Sequence, residues 1–132
     1  MASSHKRRKS CKAKRGIYHA KKCLEPVHYR SGWELKYALY LDLNPAVVSY
    51  RYEPYPVEYV SNYRTGKRRK YYPDFEVRMS DGSLVLVEIK PKKKLTLVMN
   101  VKKFAAASAM CVLNGMTFRI VTEVDLKALG LL

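Results

Sequence analysis

The sequence predicts an α/β fold in one domain, with element order αβββαβ, a mixed central sheet flanked by helices, and a short C-terminal helix. Three observations carry this. Phe75 to Met79 alternates apolar and polar residues, and across an Asp81-Gly82 turn the β-rich run Leu84 to Ile89 follows, so that Tyr71 to Lys90 reads as a β-hairpin. Pro91 ends that hairpin; a long apolar stretch from about Thr96 to Asn114 and a β-rich run from Met116 to Val121 follow, the pattern of a βαβ crossover. At 132 residues the chain is the size of one domain and can bury a modest core without disulfide or metal staples.

Taken in order, Met1 to about Cys23 is rich in Lys, Arg and Ser with little apolar content. It is expected as a basic disordered arm, residues 1–23, ahead of a folded domain over 24–132. Lys6-Arg7-Arg8-Lys9 within it fits a nuclear signal, a targeting leader or a nucleic-acid arm; a solvated tail making loose phosphate contacts is the simplest case. Ser31 to Asn44 reads as the first helix, N-capped by Ser31, with Trp33, Tyr37, Tyr40, Leu41 and Asn44 at helical spacing and Pro45 as its stop. Val47 to Glu53 alternates as a strand with Val48, Tyr50 and Tyr52 on one side. Pro54 and Pro56 bend the chain, and Val57 to Val60 resumes extended structure. Ser61 to Lys70 is expected as a long basic loop turning at Thr65-Gly66.

The hairpin register follows from the turn. If Ser80-Asp81-Gly82 is a three-residue loop with Gly82 in the left-handed conformation, Met79 pairs with Ser83, and Asp74 lies opposite Glu88. That register collects Phe75, Val77, Met79, Val85, Val87 and Ile89 on one apolar face. A two-residue loop slips every pair by one and scatters them. The favoured register sets like charges across from each other, a locally unfavourable arrangement in an otherwise consistent segment, and such conflicts mark function.

Beyond the hairpin, Thr96 to Asn114 is expected as a helix with Leu97, Val101, Phe104, Ala105, Ser108 and Val112 facing inward and Gly115 as its stop. Met116 to Val121 forms the last strand, parallel to that of Glu88, and Thr122 to Leu129 a short terminal helix. The Leu84 to Ile89 run is apolar on both faces, as a covered central strand should be. Glu88 and Lys90 share one face where it emerges.

The net charge is +15. Residues 1–23 hold nine Lys or Arg and no acid, and the rest carries seventeen against eleven, so both arm and body are cationic. A polyanionic partner is the simplest reason. No apolar run reaches membrane-spanning length and no secretory signal is evident, so no membrane role is expected. Cys11, Cys23 and Cys111 suggest no disulfide framework and a reducing compartment. His5, Cys11, His19, Cys23 and His28 lack the tight pairs of a zinc site.

Two carboxylates and a lysine converging at one point suit a divalent metal held against a phosphate. The alternative is a solvated strand end with a surface salt bridge. Glu34 admits two readings as well, because Ser31-x-x-Glu34 is also a capping box. Glu53, Glu58 and Glu76 read as surface charges, although Glu76 shares the face of Asp74. Tyr50, Tyr52, Tyr59 and Tyr72 read as half-buried strand residues.

Pro73-Asp74…Glu88-Ile89-Lys90, in this element order, resembles the signature of the PD-(D/E)xK nuclease superfamily and its restriction-endonuclease-like core. Tyr29-Arg30-Ser31-x-Trp33-Glu34-Leu35-Lys36, Tyr72-Pro73-Asp74-Phe75, Glu88-Ile89-Lys90-Pro91 and Phe118-Arg119-Ile120-Val121-Thr122-Glu123 are most similar to tailed-phage head-completion nucleases. Transposon end-cleaving endonuclease subunits look similar over the same core, although those generally carry a further C-terminal domain. The likeness covers roughly residues 27–125.

The resemblance implies a Mg²⁺-dependent DNA endonuclease of low sequence specificity, with Mn²⁺ able to substitute. Asp74, Glu88 and the Ile89 carbonyl would ligate the metal, Glu34 would reach it directly or through water, and Lys90 would act on the attacking water. Asn100 and Lys103 are the accessory candidates from the second helix. Arg64, Lys67, Arg68, Arg69 and Lys70, with Lys92, Lys93 and Lys94, are the candidates for sequence-blind contact with the DNA backbone. Implied partners are DNA, phage head or neck proteins and a second copy of the chain, in the host cytoplasm or on the virion. A non-catalytic DNA-binding head-completion or connector protein and an end-cleaving transposase subunit are the alternatives.

Overall fold

A computed structural model describes residues 15–132. Lys6-Arg7-Arg8-Lys9, His5 and Cys11 lie outside the described residues. The elements are α1 (Gly32–Leu43), β1 (Val47–Tyr52), β2 (Val57–Asn62), β3 (Lys67–Tyr71), β4 (Phe75–Met79), β5 (Leu84–Ile89), α2 (Val98–Leu113), β6 (Thr117–Val121) and α3 (Glu123–Ala128). A single 3₁₀ turn, Lys92–Lys94, leads from β5 towards α2. The main sheet has strand order β1-β4-β5-β6: the first three strands are antiparallel, and β6 joins β5 in parallel after the α2 crossover. The expected αβββαβ core is present. β2 and β3 form a separate two-stranded ribbon inserted between β1 and β4.

β5 is the central strand, and its two faces organise two cores. On one face Val87 and Ile89, with Phe75 and Val77 of β4, pack against Tyr37, Ala38 and Leu41 of α1 and Leu126 of α3. On the other Leu86 packs with Phe104, Ala107 and Cys111 of α2 and with Val57, Tyr59 and Tyr71 of the ribbon. Phe75 is fully buried, within 5.7 Å, centroid to centroid, of the Tyr37, Tyr50 and Tyr52 rings. Such tilted and edge-on pairs add to the burial of a large apolar side chain.

Four expectations need correction. Composition places residues 15–23 at the end of a disordered arm. Instead Tyr18 exchanges two backbone hydrogen bonds with Val27, Cys23 is buried, and Lys22 Nζ donates to the Asn44 and Val47 carbonyls. Buried Asp42 of α1 holds this segment down, accepting from the Tyr18 hydroxyl and the Lys21 and Lys22 N–H groups. Such anchoring is invisible in local composition.

The second correction concerns β1. A bulge between Val47 and Ser49 shifts the register, so Val47 and Tyr50 face inward and Val48 is exposed. Third, the basic stretch is a loop only at its tip. Lys67 to Tyr71 pairs with β2, and Gly66 turns the ribbon at φ 76°. Fourth, α2 presents Asn100, Phe104, Ala107 and Cys111 to the core, whereas Leu97, Val101 and Val112 are exposed. The helix is apolar nearly all round, so its periodicity allowed two inward stripes and only packing chose between them.

Candidate active site

The site begins with the hairpin turn. Gly82 lies at φ 90°, and the Met79 N–H donates to the Ser83 carbonyl at 2.9 Å, which closes the three-residue loop. Above it Arg78 pairs with Leu84, Val77 with Val85, Glu76 with Leu86 and Phe75 with Val87. Carried one pair further, this register sets Asp74 across from Glu88. The Ile89 N–H donates to Asp74 Oδ2 at 2.7 Å, and the Glu53 N–H donates to the Asp74 carbonyl at 2.7 Å. Glu53 adopts φ 45°, a conformation uncommon outside glycine, so the backbone at Asp74 is secured from a strained neighbour.

Asp74 and Glu88 are both buried, at 8% and 5% exposure. Burial, the Glu88 charge and the Glu34 charge together hold the Asp74 carboxyl well above the usual carboxylate range, against the opposing Ile89 N–H and Lys90 charge. Burial pushes Glu88 up to about 7, with Lys90 and the Tyr71 hydroxyl opposing it. Lys90 Nζ stands 3.5 Å from Glu88 Oε2. A solvated strand end with a surface salt bridge, the alternative for these residues, has no such burial.

Glu34 combines both readings made of it. Its backbone N–H donates to Ser31 Oγ at 3.3 Å, as in a cap. Its carboxylate accepts from the Arg30 N–H at 2.9 Å, one residue earlier than a standard capping box, and from the Tyr52 hydroxyl at 2.7 Å. Both donors reach the same oxygen, Oε1; among the described residues none bonds Oε2. Among those residues, too, no three His, Cys, Asp or Glu converge closely enough to hold a metal ion by themselves. The centre is therefore a carboxylate pair with Glu34 standing off.

Lys103 of α2 borders the pair. Burial and the nearby Lys90 charge lower its ammonium pKa, while Glu88 opposes this. Asn100 is buried but donates from Nδ2 to the Lys94 carbonyl at 2.9 Å, so it is engaged in closing the turn before α2. Arg64, Lys67, Arg68, Arg69 and Lys70 lie exposed on the ribbon and its tip. Lys92, Lys93 and Lys94 are exposed just past β5. Glu76 serves structure, accepting from Arg51 at 3.0 Å and from the Tyr55 hydroxyl at 2.7 Å.

Two site neighbours were missed among the eleven tyrosines. The Tyr71 hydroxyl donates to Glu88 Oε1 at 3.2 Å, and that of Tyr52 to Glu34. Tyr71 closes the run Lys67-Arg68-Arg69-Lys70 three residues before Asp74, but nothing local distinguishes it from the exposed Tyr72 beside it. Tyr72, read as half-buried, is instead 50% exposed.

A family model described as TnsA-like endonuclease N terminal matches residues 44–123, a span that holds Asp74, Glu88 and Lys90 and leaves Glu34 outside. The Head completion nuclease of Enterobacteria phage T4 is 32% identical over 126 residues, covering 79% of this chain and 83% of that protein. On the strength of both matches, the chain belongs to the TnsA-like endonuclease family of PD-(D/E)xK nucleases.

Proposed function

We propose that this protein is a Mg²⁺-dependent DNA endonuclease that hydrolyses phosphodiester bonds with little sequence preference and acts in phage head completion. The observation that carries the reading is the buried Asp74–Glu88 pair with Lys90 beside it. The name of the phage T4 relative supports the setting, which would be the host cytoplasm or the virion with head or neck proteins as partners.

The donor set fits a hard divalent cation. Burial and mutual repulsion oppose ionisation of the two carboxylates, and a dication supplies the counter-charge they lack. Asp74 and Glu88 would hold Mg²⁺, with the Ile89 carbonyl as a further oxygen and Glu34 directly or through water. Mg²⁺ characteristically takes one or two carboxylates and keeps several waters. When bound, it supplies Lewis-acid polarisation of a phosphoryl oxygen and a water more acidic than bulk water.

The chain's own groups do the remainder. Lys90 orients the attacking water and offsets charge that develops on the phosphate. Lys103, half-buried on α2, adds a second cation at the same place. The ribbon cations and Lys92–Lys94 hold the DNA backbone by charge, which carries no sequence information.

The test is supercoiled-plasmid cleavage by the full chain in Mg²⁺, Mn²⁺ and EDTA, with cut sites mapped by sequencing. Metal-dependent cutting at dispersed sites is expected. Salt-sensitive DNA binding without cutting would favour a structural virion role. The TnsA-like match favours end cleavage as the second reading; cuts confined to one short sequence would support it.

A further inference from the structure

We propose that Tyr71 is a positioning residue for the metal centre, its hydroxyl fixing the Glu88 carboxylate in the orientation that a divalent cation requires. This rests on the reading of Asp74 and Glu88 as metal ligands.

Glutamate has three side-chain torsions, and a ligating carboxylate is useful only when they are fixed before the metal arrives. Two groups fix Glu88: the Tyr71 hydroxyl on Oε1 at 3.2 Å and Lys90 Nζ, 3.5 Å from Oε2. Lys90 is needed at the phosphate, so its contact with Glu88 must loosen during reaction. Tyr71 has no such second task. Its ring is 7% exposed, sits edge-on to Phe104 at 6.1 Å between centroids, and has Lys103 Nζ 5.9 Å from its own centroid. The hydroxyl is thus held by packing, and it is neutral, so it orients Glu88 without competing with the cation for the carboxylate. Hydrogen-bond partners of metal ligands act in this way.

Tyr71 also closes β3, whose other four residues, Lys67 to Lys70, are exposed cations. The strand that carries charge towards DNA therefore ends in the side chain that steadies a metal ligand, and Asp74 follows three residues later. Placement of the ribbon and geometry of the carboxylate pair are mechanically one unit.

The test is Mn²⁺ binding to the full chain by titration calorimetry, with Tyr71→Phe beside Tyr50→Phe. Both lose a buried hydroxyl, but that of Tyr50 donates to the Ala38 carbonyl in the other core. Tyr71→Phe is expected to weaken Mn²⁺ binding about tenfold, in line with the loss of a ligand's hydrogen-bond partner, and Tyr50→Phe to leave it unchanged. Because Tyr71 acts through Glu88, adding Tyr71→Phe to Glu88→Gln should change residual affinity no further. Equal affinities of Tyr71→Phe and wild type, or an equal loss in Tyr50→Phe, would overturn the inference while leaving the ligands in place. Wild-type binding that is absent, or that survives Asp74→Asn, would sink the ligand reading itself.

Discussion

Asp74 Oδ2 accepts the Ile89 N–H at 2.7 Å, which ties the residue before β4 to the last residue of β5 where Glu88 faces Asp74. One hydrogen bond thus fixes the spacing of two carboxylates that repel one another. Phe75, buried directly after Asp74, anchors the same point from the core side. Burying this repelling pair is costly to the fold, and the cost has measurable consequences.

Glu88→Gln should stabilise the protein in EDTA, and more so at high pH. The folded pKa of Glu88, about 7, lies above the value near 4.3 of a free glutamate, so the folded state retains a proton the unfolded state has lost. Stability from this group is full below the unfolded pKa and is lost as pH rises to about 7. Thermal melts should show Glu88→Gln close to wild type at pH 5 and roughly 5 °C above it at pH 8.5.

Asp42→Asn should have the opposite signature. Burial alone would raise this carboxyl, but the Tyr18 hydroxyl and two backbone N–H groups outweigh burial and leave its pKa lowered. Its contribution is present above the unfolded pKa, near 3.9, and lost as pH falls through the lower folded value. Urea unfolding should find Asp42→Asn about 1–3 kcal/mol less stable at pH 7, with the gap narrowing as pH falls below the unfolded pKa.

Replacing Arg69 and Lys70 by alanine should weaken binding to unrelated duplexes alike. Each lost phosphate contact removes about 0.9 from the slope of log affinity against log salt. Fluorescence anisotropy over a salt series should therefore show a slope shallower by about 2, with melting unchanged because both side chains are exposed. A slope that stays put would remove the ribbon from the DNA contact.

Phe75→Ala should cost about 3–5 kcal/mol, the range for a fully buried aromatic. Phe75→Leu, which refills much of the space among Tyr37, Tyr50 and Tyr52, should cost less. Chemical denaturation of both variants measures the difference.

The hairpin was legible because two independent constraints agreed: the Asp81-Gly82 turn and the alternation of Phe75, Val77, Val85 and Val87 allowed one register only. The crossover through α2 was legible for a similar reason, since Pro91 and Gly115 bracket it. What escaped depended on distant partners. Nothing near Tyr18 or Lys22 announces Asp42, and the apolar periodicity of α2 suits either of two faces. Tyr71 looked like one strand tyrosine among several, because its role comes from Glu88, seventeen residues away.

The most direct measurement is the plasmid-nicking rate in Mg²⁺ of wild type, Asp74→Asn and Glu88→Gln, at protein concentrations giving equal DNA occupancy. Both substitutions keep shape and remove charge, so folding and DNA binding are retained. Each should lower the rate by about a thousandfold or more, several kcal/mol of lost transition-state stabilisation. Cutting at the wild-type rate by either variant would contradict the assignment of the carboxylate pair as the catalytic centre.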